Sequence, residues 1–517
     1  MIKKLFSLML SVSTFVSYGQ QTNYASAYLD TNNWEAYFTP TNSVFWDLSG
    51  TSKTSIGGAT AIFSMNFWLG GYDDAGNLHV SADRYYYNGE GMFLPGPYGF
   101  LPNSSAYNKI WKISKKQIDY HIAHWDDPGY QMPEVIQTWP AHGDVSNGES
   151  YILAPFVDVN QNGVYDPENG DYPFIYGDQA LFYIITDKWG STLSDAQKIG
   201  TEVRVMAFAY NTGDSIIDNT FFIHYDILNK SLQNYHDVRF ALNVDFDIGN
   251  AFDDYIGCDT SLNCFFVYNG NDTDAYYGIK PPAAGVVFLS RKMTSFMYYS
   301  NGSGATGDPQ TGPEYYRAMN SIWRDGTHLV AHGNGYDTSS AVTDTCMFAF
   351  PENSGWTEYE MGNIPDDRRG AATLSIDELP QNSCVSIDFA FTWARDTVNY
   401  DNVHTPVERL LAQIPHIVDF VNNLDIDTNC SYLATSVPYL NYNDFVFNIS
   451  PNPAQNIVKI ITNGKNYDMR IYNELGILVY QGKDIKDFDV SNWDSGVYFV
   501  VLTNGKNKMR KKLIVTH

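Results

Sequence analysis

Three stretches of this chain alternate side chains with a period of two, and that period constrains the fold more than any other feature. Phe221, Ile223, Tyr225 and Ile227 share one side, with Phe222, His224, Asp226 and Leu228 on the other. Val238, Phe240, Leu242 and Val244 alternate with Asp237, Arg239, Ala241 and Asn243. Val385, Ile387, Phe389 and Phe391 alternate with Ser386, Asp388, Ala390 and Thr392. Successive residues of a strand point to opposite faces, so these patterns predict half-buried antiparallel strands. An aromatic content of 15% agrees, because such rings fit a pleated surface. Helical spacing is strongest over Ser114–Ala123 and Pro406–Asn423. In the second, Val407, Leu410, Leu411, Ile414, Ile417, Val418 and Val421 keep it, and Pro415 predicts a kink or a break. No fixed repeat is visible, which counts against a propeller or solenoid. The chain reads as all-β, a multi-domain antiparallel β-sandwich core with few helices. Its 517 residues suffice for two or three domains.

The two ends differ from this body. Lys3 and Lys4 precede a short apolar run, Leu5–Val16, and Ser17 and Gly19 place small residues before Gln20. That order predicts a secretory leader over residues 1–19, too short to span a bilayer. No later stretch reaches spanning length. At the other end, Asn448–His517 carries ten Lys/Arg against six Asp/Glu, while the whole chain has a net charge of −26. The shift predicts a boundary near Leu440–Phe445, after the polar stretch Asp425–Asn429. Turn signals at Asn463-Gly464, Leu475-Gly476, Gln481-Gly482, Ser495-Gly496 and Asn504-Gly505 punctuate this tail. Val497 to Leu502 is apolar on both faces, as a central strand would be. The tail reads as a small Ig-like β-sandwich over 445–517. Between the ends we expect a β-rich region over 20–200 and a second β-sandwich region over 201–430.

The tail also resembles a known family. Ile449-Ser450-Pro451-Asn452-Pro453-Ala454, then Met469-Arg470-Ile471-Tyr472-Asn473 and Leu475-Gly476, then Gly496-Val497-Tyr498-Phe499-Val500 and Lys511-Lys512-Leu513 follow in order. This series is similar to the C-terminal type A sorting domain of type IX secretion substrates. The resemblance implies the type IX secretion machinery as partner, passage across the outer membrane, removal of the tail, and release or attachment at the surface. The body resembles a group of large secreted proteins of the same route, uncharacterised in activity. Its landmarks are Phe67-Trp68-Leu69-Gly70-Gly71, Trp139-Pro140-Ala141-His142-Gly143, Gly170-Asp171-Tyr172-Pro173, Asp366-Asp367-Arg368-Arg369 and Trp393-Ala394-Arg395, among others.

The sharpest chemical signal is Asp158, Asn160, Asn162, Gly163, Val164 and Asp166. Alternating Asp and Asn oxygens, a Gly that lets the chain turn, and a backbone carbonyl at Val164 suit Ca2+. Asn169 stands where an EF-hand has Glu, and Pro155 and Pro167 argue against flanking helices. Asp166 or Asp171 could supply the missing carboxylate. The competing reading is an Asx turn held by its own hydrogen bonds. Asp245, Asp247, Asp253, Asp254 and Asp259 form a second acidic cluster. It would repel itself unless solvated or bridged by a cation, and a catalytic carboxylate pair is its third reading.

Other candidates carry less. His121 and His124 are three apart with no intervening Glu, so they read as packing or capping residues rather than a metalloprotease pair. His142 has no visible nucleophile, and Ser303 sits in a Gly/Ser loop. No nucleophile elbow, phosphate loop or dinucleotide fingerprint is present. Cys258, Cys264, Cys346, Cys384 and Cys430 leave at least one thiol unpaired, and Cys258 and Cys264 are near enough in sequence to bridge. Tyr85–Tyr87, Tyr298-Tyr299 and Tyr315-Tyr316 either fill the core or offer stacking faces. The acidic charge argues against nucleic acid and anionic membranes. The expected function is therefore that of a secreted or surface-attached, calcium-stabilised sandwich that binds an extracellular glycan or protein, as an adhesin or surface component. The alternative is a secreted hydrolase of polysaccharide or protein.

Overall fold

The computed structural model describes residues 24–47, 51–83, 91–102, 104–300, 302–350, 356–424, 430, 447–462, 467–473, 477–504 and 507–517. The expected leader over 1–19, Tyr85–Tyr87, Asp425–Asn429 and Leu440–Phe445 lie outside these residues. The chain divides into two compact units, Met1–Ser436 and Val437–His517.

The larger unit opens with β1 (Ala27–Leu29), β2 (Trp34–Phe38), β3 (Thr54–Ile56), β4 (Ala59–Asp73) and β5 (Leu78–Ala82). Then come β6 (Leu94–Pro95), β7 (Trp111–Ser114), β8 (Phe156–Val157), β9 (Tyr172–Pro173), β10 (Gln179–Thr186), β11 (Thr201–Ala209), β12 (Thr220–Asn229) and β13 (Tyr235–Phe246). The remainder is β14 (Asp254–Asp259), β15 (Cys264–Asn269), β16 (Thr273–Asp274), β17 (Gly278–Ile279), β18 (Ala283–Phe288), β19 (Met293–Tyr299), β20 (Arg368–Leu379) and β21 (Cys384–Ala394). One sheet runs β1-β2-β3-β4-β13-β20-β19, with β5 beside β4. The other runs β14-β15-β18-β21-β12-β11-β10-β6, with β7 also beside β10. Pairing within both is antiparallel. Strands from both sides of residue 200 pair directly, β4 with β13 and β10 with β11. The two regions expected over 20–200 and 201–430 are thus one sandwich, because each sheet draws strands from both.

The inner faces pack ring against ring. Phe67 meets Tyr225 at 5.5 Å between centroids, and Phe240 meets Phe389 at 5.8 Å. Phe221 and Phe391 stack at 4.8 Å, and truncating a buried ring of this kind costs about 3–5 kcal/mol. The outer face of the nine-stranded sheet is covered as well. Ile113, Ile136, Trp139 and Leu153 pack there with Phe182, Met206 and Phe222, and so do Leu410, Ile414 and Ile417 of the helix Thr405–Asn422. That cover corrects the expectation of half-wet strands. His224 and Asp388, on the faces that alternation assigned to solvent, are each only 6% exposed.

The helix Lys115–His124 begins where expected, with Ser114 and Gln117 forming a reciprocal cap. Thr405–Asn422 runs unbroken through Pro415. The buried stripe from Val407 to Ile417 holds it against the sheet, and Pro415 itself is exposed.

Cys384 bonds to Cys430, tying β21 to the segment beyond the helix. Cys258, Cys264 and Cys346 are buried thiols. A Cys258–Cys264 bridge is ruled out by register. Cys258 lies opposite Phe265 and Cys264 opposite Asp259, so the two thiols belong to opposite faces of the hairpin.

The smaller unit has two sheets among the described residues. One is β22 (Phe447–Ser450), β23 (Ile457–Thr462) and β26 (Asp487–Asp489). The other orders β25 (Leu478–Lys483), β24 (Asp468–Asn473), β27 (Gly496–Asn504) and β28 (Asn507–Val515). β27 is internal, as its two apolar faces require, and Val458, Ile471, Val500 and Leu513 form a separate core.

Candidate functional site

The hairpin β8–β9 carries the Asx loop at its tip. Asp158 accepts from the amides of Asn162 (3.1 Å) and Gly163 (2.6 Å). Gly163 has φ +78°, the left-handed turn that glycine makes without strain. Asn160 accepts from the Asn162 amide and Asn162 from the Val164 amide. The side-chain amides of Asn160 and Asn162 both donate to Asp166 at 2.9 Å. Asp171 is buried beneath, accepting from the Val159 and Asp166 amides. All six expected positions therefore share one loop. Burial works against the Asp166 charge, yet donors from Asn169, Asn162 and Asn160 hold its pKa below the usual range. Burial pushes the Asp171 carboxyl up. Two histidines anchor the loop: His121 Nε2 bonds the Asp171 carbonyl oxygen (3.0 Å), and His142 Nε2 accepts from the Tyr165 amide (2.9 Å). Both bonds brace the loop from neighbouring segments. His124 is partly exposed and pairs with Asp127.

The second acidic cluster is regrouped by the fold. Asp245 ends β13 opposite Arg369 of β20. Asp245, Asp247 and Asp367 each bring one carboxylate oxygen within 4.8 Å of the others. Arg369 reaches Asp245 through Nε at 3.2 Å and Asp367 through Nη2 at 3.0 Å. Burial first, then the charges of Asp245 and Asp367, drive the Asp247 carboxyl up to about 8. Asp254 is fully buried; its Oδ2 accepts from the Ile248 amide and its Oδ1 has no hydrogen-bond partner. Burial, then Asp247, Asp253 and Asp274, push its pKa well up. Asp253 is raised by burial as well. Asp259 does not join them. It sits at the far end of β14 and caps its own turn, accepting from Ser261 and Leu262 amides. Asp367, a residue sequence spacing did not single out, takes its place. Its only signal was its position in Asp366-Asp367-Arg368-Arg369, where alternate side chains of a strand diverge. Arg368 turns instead to the buried Glu358, at 2.9 Å.

A cavity of about 400 Å³ opens on the outer face of the nine-stranded sheet. Pro155, Phe156, Phe174 and Tyr176, at the base of the Asx hairpin, line one side. Phe182, Arg204, Met206, His224 and Asp226, from β10, β11 and β12, form the floor. Arg204 donates Nε (3.0 Å) and Nη2 (2.7 Å) to Glu202. His224 lies between Asp388 (2.6 Å) and Asp226 (3.2 Å). Burial disfavours its charge, but the two carboxylates prevail and raise its pKa to about 10.

The tyrosine pairs fill the core. Tyr298, Tyr299 and Tyr315 are buried, and Tyr316 donates to the Asp237 carbonyl oxygen. Ser303 is exposed in its loop.

Residues 448–516 match the family described as "Secretion system C-terminal sorting domain". The tail is thus a type IX secretion sorting domain, and the chain is exported to the cell exterior or surface. Among the described residues no helix is long and apolar enough to cross a membrane. No curated protein matches the chain significantly. Among solved structures, it is similar to a copper-containing benzylamine oxidase from Hansenula polymorpha, at 9% identity and a TM-score of 0.27. That match covers 70% of this chain and 58% of the oxidase, so the chain spans little more than half of that protein's length. A likeness of this size transfers neither fold nor activity.

Proposed function

We propose that a chain exported under a secretion sorting domain works outside the cell as a calcium-stabilised β-sandwich that binds its target without turnover. The convergence of Asp245, Asp247 and Asp367 carries this reading. Were all three ionised, the Arg369 guanidinium would leave an excess of negative charge among them, and the raised Asp247 carboxyl is the response to it. A divalent cation taking oxygen ligands compensates that excess directly. In the Asx loop, a second and more exposed set of oxygens, calcium would have to replace the amide donors these oxygens now accept from, and millimolar affinity suffices outside the cell.

The same cluster speaks against hydrolysis. Asp245 is 2% exposed and Asp254 fully buried, so a polymer substrate has no approach to either. A general acid must come within hydrogen-bond reach of the bond it protonates. An adhesive or surface-structural role fits a protein whose acidic groups hold the fold together.

The test is to pass the mature protein over insoluble polysaccharides and surface proteins, with calcium and with chelator, and to assay the liquid for released sugar and peptide. Calcium-dependent retention without release is expected. Released product that disappears in Asp245→Asn would overturn the reading in favour of a hydrolase.

A further inference from the structure

We propose that Cys258 and Cys346 are oxidised to a second disulfide when the exported chain meets a disulfide oxidant, leaving Cys264 as the single thiol. The cross-link needs neither the cation nor the extracellular target proposed above.

Three observations lead there. First, the fold sorts the thiols. Cys258 and Cys346 share one hydrophobic cluster, whereas Cys264 belongs to the other, on the outer face of the nine-stranded sheet. The register that parts Cys258 from Cys264 thus turns Cys258 toward the side where Cys346 lies. Second, backbone bonds hold the segment Thr345–Phe350 against two strands at once. Phe296 of β19 donates its amide to the Thr345 carbonyl oxygen (2.8 Å) and accepts from the Met347 amide (2.9 Å), which brackets Cys346. Cys258 of β14 donates its amide to the Phe348 carbonyl oxygen (3.3 Å) and accepts from the Phe350 amide (2.7 Å). Third, the thiols meet. Cys258 Sγ donates to the carbonyl oxygen of Met347, the residue after Cys346, at 3.3 Å. A hydrogen bond between the two thiols is the foremost cause that raises the Cys258 pKa and lowers that of Cys346.

The chemistry is thiol–disulfide exchange, and the oxidant is a disulfide, of a small thiol or of an oxidising protein. Cys346 is 8% exposed and Cys258 fully buried, so the first attack falls to Cys346. It gives up its proton and attacks one oxidant sulfur, forming a mixed disulfide and releasing the other sulfur as thiolate. Cys258 then gives up its proton and attacks the Cys346 sulfur, which forms the Cys258–Cys346 bond and expels the second thiolate. Two electrons pass to the oxidant, and the two protons end on its thiols. The Cys384–Cys430 bond suits the same oxidising surroundings. The new bridge ties β14 to the stretch between β19 and β20, whose last residue is Asp367. Joining residues so far apart in sequence removes many conformations of the unfolded chain.

The experiment takes the full mature protein from the medium or surface of exporting cells. Free thiols are blocked in denaturant, and the digest is mapped by mass spectrometry without reduction. A blocked thiol at Cys264 alone, with a peptide pair joined through Cys258 and Cys346, is expected. Blocking at Cys258 and Cys346 as well, or a bridge that involves Cys264, overturns the proposal. That readout uses the wild type, so a variant that fails to fold cannot obscure it. Cys346→Ser should then leave Cys258 open to the blocking reagent and lower the thermal midpoint by about 3 °C or more. A Cys258 that stays unblocked in Cys346→Ser has another partner, which also overturns the pairing.

Discussion

The Asx loop Asp158–Asp171 and the buried group around Asp245 both gather carboxylates, but they deal with the repulsion in different ways. In the loop, backbone and side-chain amides satisfy each oxygen, and solvent lies close by. In the buried group, the Arg369 guanidinium bridges two carboxylates while Asp247 and Asp254 are driven toward the neutral form. The loop has the recognisable spacing, and the buried group has the greater need of a cation. Spacing reports how a segment can turn. Burial decides what its charges cost.

The strongest way to break this contrast is Arg369→Met. Removing the guanidinium that bridges buried Asp245 and half-buried Asp367 breaks both ion pairs, and breaking a buried pair of this kind costs about 3–5 kcal/mol. Urea unfolding in chelator should show it, and added calcium should recover part of the loss. A variant as stable as wild type would mean that these carboxylates are already neutral.

Calcium itself comes next. At pH 8, a hundredfold excess over the dissociation constant stabilises the fold by about 3 kcal/mol. Thermal midpoints with calcium and with chelator should differ by several degrees, and Asp247→Asn with Asp367→Asn should remove the difference. Equal midpoints in the wild type would sink the structural cation.

The sign of the pH effect sharpens the comparison further. Asp247 has a folded pKa of about 8 against an ordinary value of 3.8. A raised carboxyl favours the fold below the ordinary value, and that advantage is lost as pH climbs toward 8. In chelator, Asp247→Asn should therefore gain on wild type steadily between pH 5 and pH 8. A flat difference across that window would refute the burial argument. The smallest effect belongs to the loop. Asp158→Asn keeps one acceptor of the Asx turn and should cost less than about 1 kcal/mol globally. Its mark should be faster proteolysis near Gly163. A global loss as large as that of Arg369→Met would invert the order proposed here.

Much of the strand content could be read from the alternations at Phe221, Val238 and Val385, because a period of two survives any topology. What covers the second face could not. His224, Asp226 and Asp388 look like solvent-facing residues until Tyr176, from beyond the Asx hairpin, packs against the His224 ring and the two carboxylates pair with it. The Asx loop was visible because its side chains lie within fourteen residues of one another. Asp367 was not, because only the register of β13 against β20, which sets Asp245 opposite Arg369, brings it in from more than a hundred residues away.

The strand order has one more consequence, and it concerns time. β20 and β21 come late in the larger unit, yet each sits inside a sheet: β20 between β13 and β19, β21 between β12 and β18. Until the chain is complete through Leu379 one sheet cannot close, and until Ala394 the other cannot, where Thr220 pairs with Thr392. Contacts so distant along the chain form slowly. The emerging polypeptide therefore stays pliable until its last core strands arrive.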